Sequence, residues 1–231
     1  MSLTPQTSSS PIPKIIHYIW VGGKPLSPLA ERCLASWKQF LPDYEIKLWN
    51  ELNSPMSHAY VQEMYAQKKW AFVSDYIRFW ALKNEGGIYL DTDMEILKPL
   101  GQIIGNLSGS GFVGSSRGGQ IESSIIGSIP DATFINQALK FYDTTQVYTI
   151  KETSPLVLGK AIVATKDDVT VFPDTYFFPC AEGEHCGPKK LQNAYARHHW
   201  SESWVPYART RKVLRRLGLM KFFKFFKKIY V

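Results

Sequence analysis

Apolar and polar positions along the chain alternate between two periods. Ile15 to Val21 is a run of apolar, β-branched and aromatic residues stopped by Gly22-Gly23. A short run of this kind between turn residues reads as a buried strand. Leu29, Cys33, Trp37 and Phe40 recur at helical spacing behind Pro28, which predicts a helix over 29–40. Glu45 to Trp49 alternates as a second strand. This β-α-β opening predicts an α/β protein with a parallel sheet covered by helices.

The same pattern continues downstream. Phe72, Tyr76, Phe79, Trp80 and Lys83 lie three and four apart, predicting a helix over 70–84 that Gly86-Gly87 terminates. Ile88-Tyr89-Leu90 is a strand that runs straight into Asp91-Thr92-Asp93. Over 101–130 glycine and serine are frequent and apolar runs are short, which predicts edge strands and loops. Thr133 to Tyr142 reads as a helix, 169–179 as a strand entering a loop, and 180–190 as a loop. Residues 1–12, rich in Ser, Thr and Pro, read as a loose leader.

Composition narrows the class. The 231 residues are 45% hydrophobic and 20% charged, ordinary values for a folded chain. The net charge of +7 is unevenly placed: residues 206–231 carry nine basic side chains and no acidic one, leaving 18 basic against 20 acidic residues in 1–205. A basic whole-chain charge would suggest nucleic-acid binding. With the body near neutral that argument fails, and nucleic acid is not an expected partner. Cys33, Cys180 and Cys186 give an odd count and no disulfide framework. The N-terminus has no secretory signal pattern and no run is long enough to span a bilayer, so a reducing, cytoplasmic setting is expected. Zinc ligation by Cys180, His185 and Cys186 lacks a fourth ligand and has unconvincing spacing.

Chemistry concentrates at the end of the third strand. Asp91 and Asp93 stand at the carboxyl edge of a sheet, where ligands of open α/β folds gather. Two carboxylates so close repel unless a cation sits between them. A hard ion such as Mn²⁺ or Mg²⁺ suits oxygen ligands and a diphosphate. Asp-x-Asp alone is weak evidence. Asp75 and Arg78, one helical turn apart in an otherwise aromatic and apolar stretch, add to it, either as a structural ion pair or as groups facing a sugar diphosphate. His17, inside an apolar strand, reads as a hydrogen-bonded core histidine.

The segment from Phe72 to Asp93, with Asp75-Tyr76-Ile77-Arg78, Gly86-Gly87-Ile88-Tyr89-Leu90 and Asp91-Thr92-Asp93, resembles the signature of the DXD-containing sugar transferases. That family (glycosyltransferase family 32-like) includes yeast initiating mannosyltransferases, bacterial capsule and lipopolysaccharide transferases and, distantly, clostridial glucosylating toxins. The opening 12–20 and the segment 196–204, Ala-Arg-His-His-Trp-Ser-Glu-Ser-Trp, are similar to its first strand and closing motif. The resemblance implies a GT-A fold, a Rossmann-like αβα sandwich, over residues 13–205. It implies a retaining hexosyltransferase using a nucleotide sugar, UDP-linked by preference. It assigns Asp93 to the metal directly, Asp91 to the ribose or a metal-bound water, His198 to the metal or the diphosphate, Asp75 and Arg78 to the donor sugar and diphosphate, Trp20 to the base, and Ser203 and Trp204 to closure over the donor. Where the family usually has an amide side chain near the acceptor this chain has Glu122, which either assists catalysis or is a solvated edge residue. Ser154-Pro155 stands in a loop where the family usually has Gly-Pro. His199 reads as a neighbour of the metal site.

The tail supplies a second feature. On a helical wheel Phe222, Phe223, Phe225, Phe226, Ile229 and Tyr230 oppose Lys221, Lys224, Lys227 and Lys228, with a break expected at Gly218. Such an amphipathic basic segment suits an anionic membrane surface. The combined expectation is a metal-dependent enzyme, peripheral on the inner face of the cell membrane, that glycosylates a lipid-linked saccharide in cell-surface polysaccharide synthesis. Two alternatives stand beside it. One is a haloacid-dehalogenase-type phosphatase, whose strand also ends in Asp-x-Asp. The other is a non-catalytic membrane- and sugar-binding protein.

Overall fold

The computed structural model describes residues 12–105, 107–144 and 153–201; all but the last residue of the expected leader 1–12, and the whole of the tail 206–231, lie outside them. The strands are β1 (Ile15–Ile19), β2 (Glu45–Trp49), β3 (Gly87–Leu90), β4 (Met94–Ile96), β5 (Gly111–Ser115), β6 (Ile121–Ser128), β7 (Val169–Phe172) and β8 (Ala196–His198). The helices are α1 (Pro28–Phe40), α2 (Ala59–Ala66), α3 (Trp70–Glu85), α4 (Gly101–Ile104), α5 (Thr133–Thr144), α6 (Ser154–Thr165), α7 (Asp174–Phe177) and α8 (Pro188–Leu191). The main sheet has the order β2-β1-β3-β6-β5-β7, and β6 runs antiparallel to both its neighbours. A second, two-stranded sheet pairs β4 with β8.

The alternation of side chains across the strands builds two cores. Ile16, Ile88, Leu90, Phe112 and Ile125 face a layer made by α1, the small sheet and α7, with Trp37 and Phe177 fully buried there. Tyr89, Val113 and Ile126 face the other way, against α2, α3, α5 and α6. The result is the expected αβα sandwich. Ser27 caps α1 by accepting from the Ala30 amide, and Pro28 opens its first turn, a favoured start for a helix. Gly86 and Gly87 both have positive φ. A Cβ on Gly87 would meet the Ile15 carbonyl at 2.7 Å, so the turn from α3 into β3 requires glycine. His17 is buried as expected, donating through Nε2 to the Gly86 carbonyl at 2.7 Å and accepting from the Trp49 indole at 3.0 Å.

Three expectations are corrected. The glycine- and serine-rich stretch 101–130 supplies the interior strands β5 and β6 rather than edges. Their small residues are there for packing: a Cβ on Gly127 would lie 2.0 Å from the Phe112 ring. The apolar bulk comes instead from Phe112, Phe134 and Phe177, which are fully buried. Second, Cys180 and Cys186 form a disulfide across the loop at 180–190, and this excludes their joint use as zinc thiolates. Cys33 is the free thiol, fully buried, and burial pushes it up to about 12. Third, the segment opened by Ser154-Pro155 is the helix α6.

Gly127→Ala is expected to lower stability to urea by about 1–3 kcal/mol, the usual cost of forcing a methyl group into a filled core. An unchanged midpoint would show that Phe112 moves aside freely.

Candidate active site

The carboxyl ends of β1 and β3 open on one edge of the sheet, and the start of the antiparallel β6 arrives at the same edge because Leu90 pairs with Ile125. Asp91 follows β3, with its amide donating to the Ser124 carbonyl at 2.9 Å. A tight turn, closed by Met94 N–H donating to the Asp91 carbonyl at 2.9 Å, carries the chain through Asp93 into β4. Pairing of Met94 with His198 then brings the end of β8 to Asp93. His198 Nε2 lies 3.1 Å from Asp93 Oδ1, and the Ser201 amide donates to Asp93 Oδ2 at 2.8 Å.

Ligand atoms of Asp91, Asp93 and His198 all lie within 4.8 Å of one another. Two carboxylates and an imidazole form a donor set suited to Mn²⁺ or Mg²⁺ with further oxygen ligands. The other ring nitrogen of His198, Nδ1, is buried without a hydrogen-bond partner. A proton on His198 gives Asp93 a counter-charge. Burial alone would lower the imidazole, but the charge and hydrogen bond of Asp93 hold it above its ordinary 6.5. Burial likewise opposes ionisation of Asp93, and the His198 charge and hydrogen bond together with the hydrogen bonds from Ser201 overcome this, holding the carboxyl well below the usual range. The Trp200 ring packs on His198 with centroids 4.3 Å apart and is itself held by a hydrogen bond to the Cys180 carbonyl.

On α3, Asp75 and Arg78 form the expected ion pair at 2.8 Å, with both side chains buried. Arg78 also donates to the Ser123 carbonyl and hydroxyl and to Ser74, lies 3.5 Å from Asp91 and stacks over the Tyr89 ring. Burial pushes the Asp75 carboxyl up against the pull of Arg78 and Ser154. Burial also opposes the Arg78 charge, yet Tyr89, Asp91 and Asp75 hold it firmly protonated. The ion-pair reading of these residues is therefore realised, and the pair reaches Asp91 at the sheet edge.

Glu122 on β6 is 8% exposed, so the solvated-edge reading is overturned. Burial raises its carboxyl, with Ser116 and His198 pulling the other way and Asp91 adding to the rise. Trp20 lies just past the end of β1, its indole donating to the Lys24 carbonyl at 2.6 Å. His199 pairs with Glu95 at 2.7 Å, outside the metal cluster, as expected of a neighbour. Ser203 and Trp204 lie outside the described residues. Sequence reasoning missed Ser154, whose hydroxyl donates to Asp75 at 2.7 Å and contacts Ser123 at 2.8 Å. It also missed Tyr89, whose hydroxyl donates to Asp91 at 2.5 Å. Ser154-Pro155 is a helix-opening signal that marks where α6 meets the site; nothing local marks Tyr89 as more than a strand residue.

The Asp93–His198 pair gives a signed pH dependence in chelator. The Asp93 contribution is present above its ordinary 3.8 and lost as pH falls through its lowered folded value. The His198 contribution is present below 6.5 and lost as pH rises through its raised folded value. The stability gap between wild type and His198→Gln, measured by urea unfolding, is therefore expected to be wider at pH 5.5 than at pH 8.5. A gap that widened toward alkaline pH would contradict the ion pair.

Residues 28–108 match the family model described as the glycosyltransferase sugar-binding region containing the DXD motif. The chain is 27% identical over 221 residues to an uncharacterized glycosyltransferase of Acanthamoeba polyphaga mimivirus, covering 87% of each. It is also 27% identical over 128 residues to a toxin of Photorhabdus asymbiotica, matching 40% of this chain and 4% of that much longer protein. In fold it is similar to the PaToxG glycosyltransferase, with a TM-score of 0.55 at 22% identity over 67% of this chain and 69% of that one. A second neighbour is a glycosyltransferase involved in glycosylating the major capsid of PBCV-1, with a TM-score of 0.51 at 11% identity over 79% and 93% of the two chains. Over residues 28–108 the chain thus matches the sugar-binding region of the DXD-containing glycosyltransferases, set in a GT-A-type fold similar to those of the two solved glycosyltransferases.

Proposed function

We propose that the protein is a metal-dependent, retaining hexosyltransferase that takes a sugar from a nucleoside diphosphate, UDP by preference, and passes it to a lipid-linked saccharide. The observation that carries this reading is the convergence of Asp91, Asp93 and His198 within 4.8 Å, beside the buried Asp75–Arg78 pair and inside the matched region's sheet edge. Asp91, Asp93 and His198 would hold Mn²⁺ or Mg²⁺. Such an ion supplies neutralisation for the charge that develops on the departing diphosphate.

The chain's own groups have distinct tasks in this reading. Asp75 and Arg78 orient the donor sugar from a rigid helix, Arg78 being fixed by Ser74, Ser123 and Tyr89. Trp20 lies toward the base. Glu122, buried on β6 with a carboxyl raised by burial, would receive the proton of the incoming acceptor hydroxyl. Ser203 and Trp204 follow Ser201, which is tied to Asp93, and would close over the donor. Retention rests on the family resemblance, and the lipid-linked acceptor on the joint presence of the donor-site residues and the basic amphipathic tail.

Residues 13–205 form the catalytic domain in this proposal, and 206–231 dock on the anionic inner face of the cell membrane, in the service of cell-surface polysaccharide synthesis. No helix among the described residues is long and apolar enough to cross a membrane. Nine basic residues at roughly 1 kcal/mol each near an anionic leaflet would suffice for peripheral binding. The match of residues 28–108 to the DXD sugar-binding region speaks against the phosphatase alternative. The non-catalytic alternative is addressed by turnover.

Nucleotide release is measured from a panel of UDP- and GDP-sugars with Mn²⁺. Release from one donor is expected, and chelator or Asp93→Ala should cut it by at least about a hundredfold, since several kcal/mol of charge stabilisation is removed. Metal-dependent donor binding with no turnover, with or without saccharide acceptors, would favour the non-catalytic protein.

A further inference from the structure

A cavity of about 260 Å³ lies at the same carboxyl edge of the sheet, lined by Arg117, Asp174, Thr175, Lys189, Lys190 and Asn193, with Pro179 in its wall. Arg117 belongs to the turn between β5 and β6, and α7 follows β7, two strands beyond β6. At the usual strand spacing this places the cavity roughly 10 Å along the edge from Glu122. Two connections join it to the site. Ser116, next to Arg117, is hydrogen-bonded to the Glu122 carboxyl. Pro179 sits between Phe178, whose ring is 5.7 Å from that of His198, and Cys180, whose carbonyl holds Trp200.

The charges of the cavity are arranged in advance. Glu184 binds both Lys190 and, at 3.1 Å, Arg117. It sits inside the loop closed by the Cys180–Cys186 bridge, with its carboxyl also accepting from the Ala181 amide at 2.9 Å. Lys190, the Ala181 amide and Arg117 together hold that carboxyl down to about 2. Glu184 therefore works as a fixed anchor that draws two cations to the mouth. Lys189 makes no ion pair among the described residues, and Asp174 is the one acid in the lining. Thr175 and Asn193 add neutral donors. A guanidinium, two ammonium groups and neutral donors around a small cavity match the oxygens of an anion.

We infer that this cavity is an acceptor subsite for an oxyanion, a phosphate or a carboxylate, carried by the acceptor saccharide away from its reacting hydroxyl. Ligands of open α/β sheets occupy the carboxyl edge, and the donor half of that edge lies over β1 and β3, so the half over β5 and β7 is left to the acceptor. The assignment rests on the transferase reading above and adds a charge requirement to it: an acceptor lacking the anion loses the contacts at Arg117, Lys189 and Lys190.

Titration calorimetry with glucose 1-phosphate, glucuronate and glucose tests the subsite directly. It is run on the unaltered protein, Lys189→Ala, Arg117→Ala/Lys189→Ala and Asp93→Ala. At least one anionic sugar is expected to bind the unaltered protein tenfold or more tightly than glucose. Lys189→Ala should weaken that binding severalfold and the double variant should abolish the preference, whereas Asp93→Ala should keep it. A preference held by glucose 1-phosphate alone assigns a phosphate-bearing acceptor, and one held by glucuronate alone a carboxylate. No preference in the unaltered protein, its survival in the double variant, or its loss in Asp93→Ala each overturns the subsite. Lys189 is a surface residue outside every ion pair described, so Lys189→Ala keeps the test open if the double variant fails to fold. Donor hydrolysis by the unaltered protein is measured separately. Its absence would defeat the transferase reading and with it the acceptor role, while the calorimetry still reads the anion site.

Discussion

The buried guanidinium of Arg78 is the constraint around which the site is organised. A charge 4% exposed needs partners on every side, and here they come from three directions: Asp75 and Ser74 on its own helix, Ser123 on β6, and Asp91 at the end of β3. Meeting that need fixes α3 against two strands and sets the height of Asp91 at the sheet edge. The rest of the Asp91–Asp93–His198 cluster follows, because the turn after Asp91 leads into β4 and β4 fixes β8. The site is thus held by the same contacts that dock α3 on the sheet, and Ser154 extends them to α6 through Asp75.

The first half of the fold is legible in the sequence because its signals are local and agree with one another. Ser27-Pro28, the helical spacing through Trp37, the alternation at Glu45 to Trp49 and the Gly86-Gly87 stop each act within a few residues. The second half resists such reading because its strands are built on a different principle. In β5 and β6 the glycines make room for aromatic rings, Gly127 for Phe112 on the neighbouring strand, Gly111 for Phe134 and Gly114 for Phe177 and Phe178, so much of the apolar signal lies outside the two strands. The helix α2 buries only Tyr60, Val61 and Met64 and has no side-chain cap, and β4 and β8 have three residues each. No local pattern identifies elements so short or so weakly marked.

The candidate site divides in the same way. Asp91, Asp93, Asp75 and Arg78 stand out as charges in an apolar setting, and His198 as one of a His-Trp cluster. The burial of Glu122 could not be read, because it depends on β6 lying inside the sheet. Nor could the bridge between Cys180 and Cys186, since an odd count of cysteines gives no pairing and the loop geometry that brings them together is set by Trp200 and Glu184. Residue types show which groups can do chemistry, whereas their environment is a property of contacts made across the chain.

The pairing of β4 with β8 orders events in time. Asp93 and His198 are separated by 105 positions, so their meeting closes one of the longest loops in the described chain. Loop closure of that span costs entropy that only surrounding packing can offset, and contacts of such separation form late in folding. During synthesis from the N-terminus, a ribosome-bound chain would display the whole DXD segment well before the histidine emerges. Assembly of the complete three-residue centre is therefore a checkpoint on the finished sandwich, and a truncated or half-folded chain would present carboxylates without the imidazole that completes them.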